Sequence, residues 1–165
     1  DSYFEAWKAN ANGVDLNRNF DALWTDFKGN SQPSSELYKG IKPECEQESA
    51  AIGNLTREKE FDATISYHSH GNVIYWYFGQ SGVLFDQTKS LADKVSKVTG
   101  YPLDSDYKSL DPAGFKDWAI DKLHIPSLTI EIGADTSPIP LSQLPKAKEQ
   151  NRDVLPESLE FIKSL

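Results

Sequence analysis

The sequence predicts an α/β domain, and three observations predict it. Strand-like and helix-like stretches alternate along the 165 residues. The strand-like stretches FDATISYH at 61–68 and IPSLTIEIG at 125–133 read as buried strands, the second a clearly apolar, β-branched run. The helix-like stretches repeat their apolar residues at helical spacing. A chain of this length holds one domain with a substantial core and is short for two.

Taken in order, Pro43 opens a predicted helix through ECEQESAAIGNLTREKE, with acids early and Cys45, Ile52 and Leu55 near one face. Residues 61–68 read as a buried strand, with Ile65 and Tyr67 pointing oppositely to Ser66 and His68. NVIYWYF at 72–78 is a second strand or an extended arm. Apolar residues at 84, 91, 95 and 98, with Thr88 filling the remaining step, predict a long amphipathic helix that Gly100 stops. The polar, turn-rich stretch 101–113 reads as an exposed loop over a site. A short helix over 113–123, the buried strand IPSLTIEIG and a last helix over about 144–162, kinked or broken at Pro156, complete the pattern.

The bulk numbers narrow the function. A net charge of -8 and a pI near 4.8 argue against a nucleic-acid surface, which needs clustered Lys and Arg. No apolar run approaches the ~20 residues of a spanning helix. Cys45 is the only cysteine, so no internal disulfide forms, and its place in PECEQES fits a small packed side chain better than a nucleophile. The first residue is Asp1 and the chain has no methionine, so it reads as a piece of something longer.

Three short strings carry the chemistry. In TIEIG at 129–133, Glu131 sits inside an apolar run, where an unpaired buried charge is expensive. Alternation with Ile130 and Ile132 equally allows it to point out of the sheet into solvent. Yet the C-terminal end of a strand is where open α/β sheets place their sites, and desolvation there raises a carboxyl toward the range of a general base. In SYHSHG at 66–71, His68 is either a satisfied core histidine or a metal ligand, and His70 makes an HxH pair if the strand stays extended. His124 reads as a cation at a helix C-terminus. In GVDLNRNF at 13–20, Arg18 offers a planar fork for a carboxylate and Asn17 a directional donor; the bland alternative is a polar loop with a surface salt bridge.

Together, in order, these strings resemble the zinc metallocarboxypeptidase family, the carboxypeptidase A-like peptidases. YKGIKPECEQE between the first two strings is similar to the family as well. The resemblance implies the C-terminal part of a mixed-sheet α/β/α catalytic domain over residues 1–165. It implies that Asn17 and Arg18 bind the terminal carboxylate of a peptide, that His68 binds zinc, and that Glu131 is general base and acid. It also implies a cis Ser69–His70 peptide, with Ser69 and His70 beside the substrate, and Tyr107 as a mobile tyrosine closing over it. HSHGNVIYWYFGQ and AGFKDW are similar to the bacterial branch that cleaves γ-D-glutamyl–diaminopimelate bonds in cell-wall peptides, in the cytoplasm or at the wall. Lys116 then stands in the pocket for the side chain after the scissile bond, suited to a distal carboxylate; an exposed helix lysine is the alternative.

Two departures qualify the resemblance. The family's other two zinc ligands come from a His-x-x-Glu string upstream of GVDLNRN, and His68, His70 and His124 all lack a Glu three residues on. No arginine lies between Trp7 and Arg18 to polarise the substrate carbonyl, which leaves Lys8 as the nearest cation. The expectation is that zinc is held weakly and that this chain alone does not hydrolyse peptides. The competing readings are a non-catalytic module binding peptide carboxylates through Asn17, Arg18 and Lys116, and a metal-binding protein using His68 and His70. Uncovered strand edges would invite self-association.

Overall fold

The structure, a computed structural model, describes residues 7–108, 110–134 and 138–165. Its elements are α1 (Gln47–Lys59), β1 (Thr64–His68), β2 (Val73–Tyr75), α2 (Gly82–Thr99), α3 (Phe115–Leu123), β3 (Ser127–Glu131), α4 (Leu144–Asn151) and α5 (Val154–Ile162), with short 3-10 turns at Leu16–Arg18 and Leu141–Gln143. The sheet runs β1-β3-β2, with β1 parallel and β2 antiparallel to β3. The mixed α/β architecture is the one the sequence predicts.

β3 is central because its sequence tolerates burial on both faces. Ser127 to Ile130 are all buried. The Ser127 hydroxyl accepts from Thr64 Oγ1 at 2.8 Å and donates to the Ile125 carbonyl at 2.9 Å, so burying it costs little. Leu128 and Ile130 turn to the main core, with Ile74 and Trp76 from the second strand region, Leu91 and Val95 from α2, and Val154 and Phe161 from α5. Each such side chain contributes about 1.5–3 kcal/mol on full burial. Thr129 and Glu131 alternate with them and face the other way.

α2 follows its predicted register. Thr88, Leu91, Ala92, Val95 and Thr99 are buried, and Thr88 fits the core because its hydroxyl donates to the Leu84 carbonyl at 2.6 Å. Gly100 ends the helix at φ 72°, its N–H returning to the Ser96 carbonyl at 2.8 Å. A second cluster of Phe20, Ala22, Phe78, Trp118, Ala119 and Ile120 joins the 13–20 string to α3.

Two expectations change. α1 starts at Gln47, four residues after Pro43, and Cys45 lies outside it. Glu44 has a φ of 51°, which no helix can pass through. The buried face of α1 is Ser49, Gly53 and Thr56, while Ile52 and Leu55 are exposed. Its anchor is the fully buried Asn19, whose Nδ2 donates to the Lys39 and Lys42 carbonyls at 2.8 and 3.1 Å and whose Oδ1 accepts from Ser49 Oγ at 2.6 Å. A polar hub, not an apolar stripe, sets which side is buried. β1 begins at Thr64 rather than 61 and is only partly buried, with Tyr67 50% exposed, because among the described residues only β3 pairs with it. The last helix is broken in two, as the sequence predicts. Pro156 lies in the first turn of α5, and its ring excludes the carbonyl four residues back, at Arg152, where the break falls.

Candidate active site

The C-terminal ends of the two parallel strands place His68 opposite Glu131 in the same register. His68 Nδ1 stands 3.9 Å from Glu131 Oε1. The Ile132 N–H donates to the His68 carbonyl at 2.9 Å and the Gly71 N–H to the Gly133 carbonyl at 2.8 Å, so both strand exits stay joined beyond the sheet. The Ser69–His70 peptide is cis. β1 stops at His68, so the extended geometry needed for an HxH pair is absent: His70 is exposed and lies outside the cleft.

A cleft of about 980 Å³ opens over this pair. It gathers Asn17, Arg18, His68, Ser69, Lys116 and Glu131, six of the eight residues the sequence nominates. Tyr107 is not among its lining residues; its ring meets Trp76 and Tyr77 edge-on at 5.7 and 4.9 Å, and Tyr77 lines the cleft. Tyr107 is 47% exposed.

Glu131 points into the cleft with 16% of its side chain exposed, and its Oε2 is buried without a hydrogen bond. Burial pushes its carboxyl above the usual range, and the Lys8 charge partly opposes this. The solvent-facing alternative for Glu131 therefore does not hold. Burial pushes the His68 imidazole below its ordinary value, Arg18 adds to that, Asp15 opposes it and Lys8 lowers it further. A neutral imidazole is the form that ligates metals.

Asn17 and Arg18 are held by their neighbours. Asp15 accepts from the Asn17 N–H at 3.2 Å and the Leu37 N–H at 3.0 Å, which closes the 3-10 turn that presents the pair. Asn17 Oδ1 accepts from the Phe115 N–H at 3.0 Å, at the start of α3, where the N-cap residue Gly114 offers no side chain. That bond assigns the amide orientation and leaves the two Nδ2 donors for the cleft. Arg18 Nη1 donates to the Asn17 carbonyl at 2.9 Å, Nη2 donates to Asp111 at 2.7 Å, and Nε is buried without a partner. The salt bridge that an exposed polar loop would make thus exists, but it lines the cleft, between a largely buried Arg18 and an exposed Asp111.

Lys116 is neither an exposed helix lysine nor a free cation. It is 8% exposed, pairs with Asp117 and donates to the Tyr77 carbonyl at 3.1 Å. Burial raises the Asp117 carboxyl despite that partner. Lys8 lines the cleft, yet its ammonium pairs with Glu36 at 3.3 Å. Among the described residues no group of three His, Cys, Asp or Glu side chains comes together as a metal site. His68 with Glu131 alone does not make the three-ligand set that a hydrolytic zinc requires.

Sequence reasoning missed Asp15, Asp111 and Asp117. Asp15 carries a local signal, an Asp two residues before Asn17 in turn geometry. Asp111 carries none, because its partner is 93 residues away.

The zinc carboxypeptidase family matches residues 3–154. The chain belongs to that family. It is 36% identical over 143 residues to gamma-D-glutamyl-L-diamino acid endopeptidase 1 of Lysinibacillus sphaericus, covering 85% of this chain and 35% of that protein. Among solved structures, thrombin activatable fibrinolysis inhibitor superposes with a TM-score of 0.76 at 25% identity, covering 92% of this chain and 43% of that one. The murein-tripeptide amidase of Escherichia coli shares the fold with a TM-score of 0.59 at 23% identity, covering 93% and 60%. The chain spans under half the length of the curated relatives it matches. No helix among the described residues is long and apolar enough to cross a membrane.

Proposed function

We propose that these residues are the substrate-carboxylate and general-base part of a zinc peptidase site acting on γ-D-glutamyl–diamino acid bonds in bacterial cell-wall peptides. Two further metal ligands, outside these 165 residues, would complete it. The observation that carries the reading is the convergence of Asn17, Arg18, His68 and Glu131 on one cleft from positions up to 114 residues apart in the chain. Family membership supplies the reaction class, and the endopeptidase relative supplies the substrate class.

In this reading each side chain has one task. Asn17 Nδ2 and the Arg18 guanidinium hold the peptide's carboxylate, converting binding into orientation. Glu131, desolvated and with Oε2 unengaged, accepts a proton from the attacking water and returns it to the leaving amine. Ser69 borders the bound peptide, and Tyr107 closes over it from the aromatic wall of Trp76 and Tyr77. His70, exposed outside the cleft, keeps only a backbone role beside Ser69.

The test is ligand binding by the chain itself. Nα-acetyl-L-lysine should bind in the millimolar range or tighter, and its carboxamide analogue, lacking the carboxylate, should bind at least ~10-fold more weakly, the ~1.4 kcal/mol of one charge-assisted contact. Equal binding of the two would remove the clamp. The alternative, a carboxylate-binding module without catalysis, rests on the incomplete metal set. It is favoured if the polypeptide carrying these residues binds such ligands and has no His-x-x-Glu string before GVDLNRNF.

A further inference from the structure

Arg18, the residue assigned to the substrate carboxylate, already holds a carboxylate. Its Nη2 donates to Asp111 at 2.7 Å, while Asp111 itself remains 70% exposed and lines the cleft. An incoming substrate carboxylate must therefore share or displace this partner. When it does, Asp111 is left as an anion in a cleft that also contains Asp104 and Asp117. Its charge is felt by the Asp117 carboxyl, so the two acids are within electrostatic reach.

Among the described residues no other cation of the pocket is open to take over. Lys116 is committed to Asp117 and to the Tyr77 carbonyl, and that pair is nearly closed to solvent, with 9% and 8% of the two side chains exposed. Lys8 is engaged by Glu36. A ligand that supplies only a carboxylate to Arg18 thus leaves one net negative charge uncompensated. A ligand that carries a carboxylate and an ammonium on the same residue compensates both.

We infer that Asp111 is a specificity-determining residue for the side-chain ammonium of the diamino acid: it pairs with Arg18 in the empty cleft and exchanges to that ammonium when the substrate carboxylate takes its place. This rests on the carboxylate-clamp reading above and deepens it. The exchange is charge-balanced, with one ion pair in the empty cleft and two in the complex, and no covalent bond is made or broken. The stem of a lysine-like side chain can carry its ammonium to a carboxylate standing beside the one bound on Arg18. Asp111 suits the exchange because it is exposed, precedes Pro112 in a stretch without regular secondary structure and, among the described residues, has no other side-chain partner to surrender. Asp117, buried and committed to Lys116, does not.

The assay compares Nα-acetyl-L-lysine with Nα-acetyl-L-norleucine, its near-isostere without the ammonium, on the 165-residue chain and on its Asp111→Asn and Arg18→Gln variants. For the unmodified chain the lysine ligand should bind on the order of fivefold tighter, the scale of a solvent-exposed ion pair. In Asp111→Asn the two ligands should bind alike, and the norleucine ligand should bind more tightly than before because Arg18 is released. Equal affinities in the unmodified chain, or a lysine preference that survives Asp111→Asn, would overturn the inference while leaving the clamp intact. If neither ligand binds, or if Arg18→Gln weakens neither, the clamp reading fails and this inference fails with it.

Discussion

Replacing Asn17 separates its structural bond from its proposed binding role. In the structure its Oδ1 accepts the Phe115 N–H at 3.0 Å, acting as the N-cap that Gly114 cannot provide, while Nδ2 faces the cleft. Asn17→Ala removes both. Losing a cap acceptor costs about 0.5–2 kcal/mol, and for a domain of this size each kcal/mol lowers Tm by about 2–4 °C. A drop of roughly 1–8 °C follows, together with loss of Nα-acetyl-L-lysine binding. Asn17→Asp keeps the acceptor and puts a negative charge at a helix N-terminus, worth about 0.3–1 kcal/mol, which repulsion from Asp15 and Asp111 offsets. Its Tm should stay within about 2 °C of the unmodified chain, yet its affinity for the acylated amino acid should fall at least ~10-fold, because two donors have become an acceptor. Thermal melts by circular dichroism and a calorimetric titration read the two effects. An Asn17→Ala variant that melts unchanged would show that Asn17 does not cap α3, and an Asn17→Asp variant that binds normally would show that its Nδ2 does not hold the carboxylate.

Two other consequences are stability measurements. Gly40 has a φ of 82°, and a Cβ there would meet Cys45 Sγ at 2.5 Å and Asn19 Nδ2 at 2.9 Å. Gly40→Ala should therefore destabilise by about 1–3 kcal/mol in urea unfolding, with Cys45→Ala relieving part of the cost; an unchanged midpoint would mean that the hub around Asn19 is looser than described. Glu46 accepts from Asn10 and Asn12 at 2.7 Å each, and the Asn12 bond, then the Asn10 bond, holds its carboxyl below the ordinary value of 4.5. Because the folded value is depressed, the contribution is complete above pH 4.5 and is lost as pH falls below it. Asn12→Ala should flatten the pH dependence of stability in that acid window and raise the Glu46 carboxyl, read by NMR titration.

The parts of the fold that were legible in the sequence are those where apolar periodicity decides. α2 announces itself through Leu84, Leu91, Val95 and Gly100, and β3 through SLTIE, because burial in one continuous core selects both. The cleft's chemistry was legible as far as the strings go: GVDLNRNF, SYHSHG and TIEIG each put a nominated side chain into it. What was hidden is long-range and polar. Asn19 organises the 39–49 segment through hydrogen bonds to residues 20 to 30 positions away, so Pro43 and the acids after it looked like a helix start and were a tethered loop. Asp111 and the Lys116–Asp117 pair set the charge balance of the cleft through side-chain geometry that no spacing encodes. Lys116 read as an open cation because a sequence shows its charge and not its neighbour's orientation.

In the proposed function His68 and Glu131 are the metal-facing part of a hydrolytic site whose other ligands these residues do not supply. Equilibrium dialysis of the 165-residue chain against zinc, with turnover of a γ-D-glutamyl-L-lysine peptide followed in the same samples, tests it directly. The expected result is well under one zinc per chain at micromolar metal and no release of the lysine product. One tightly held zinc per chain, lost in His68→Ala and accompanied by measurable cleavage, would contradict it.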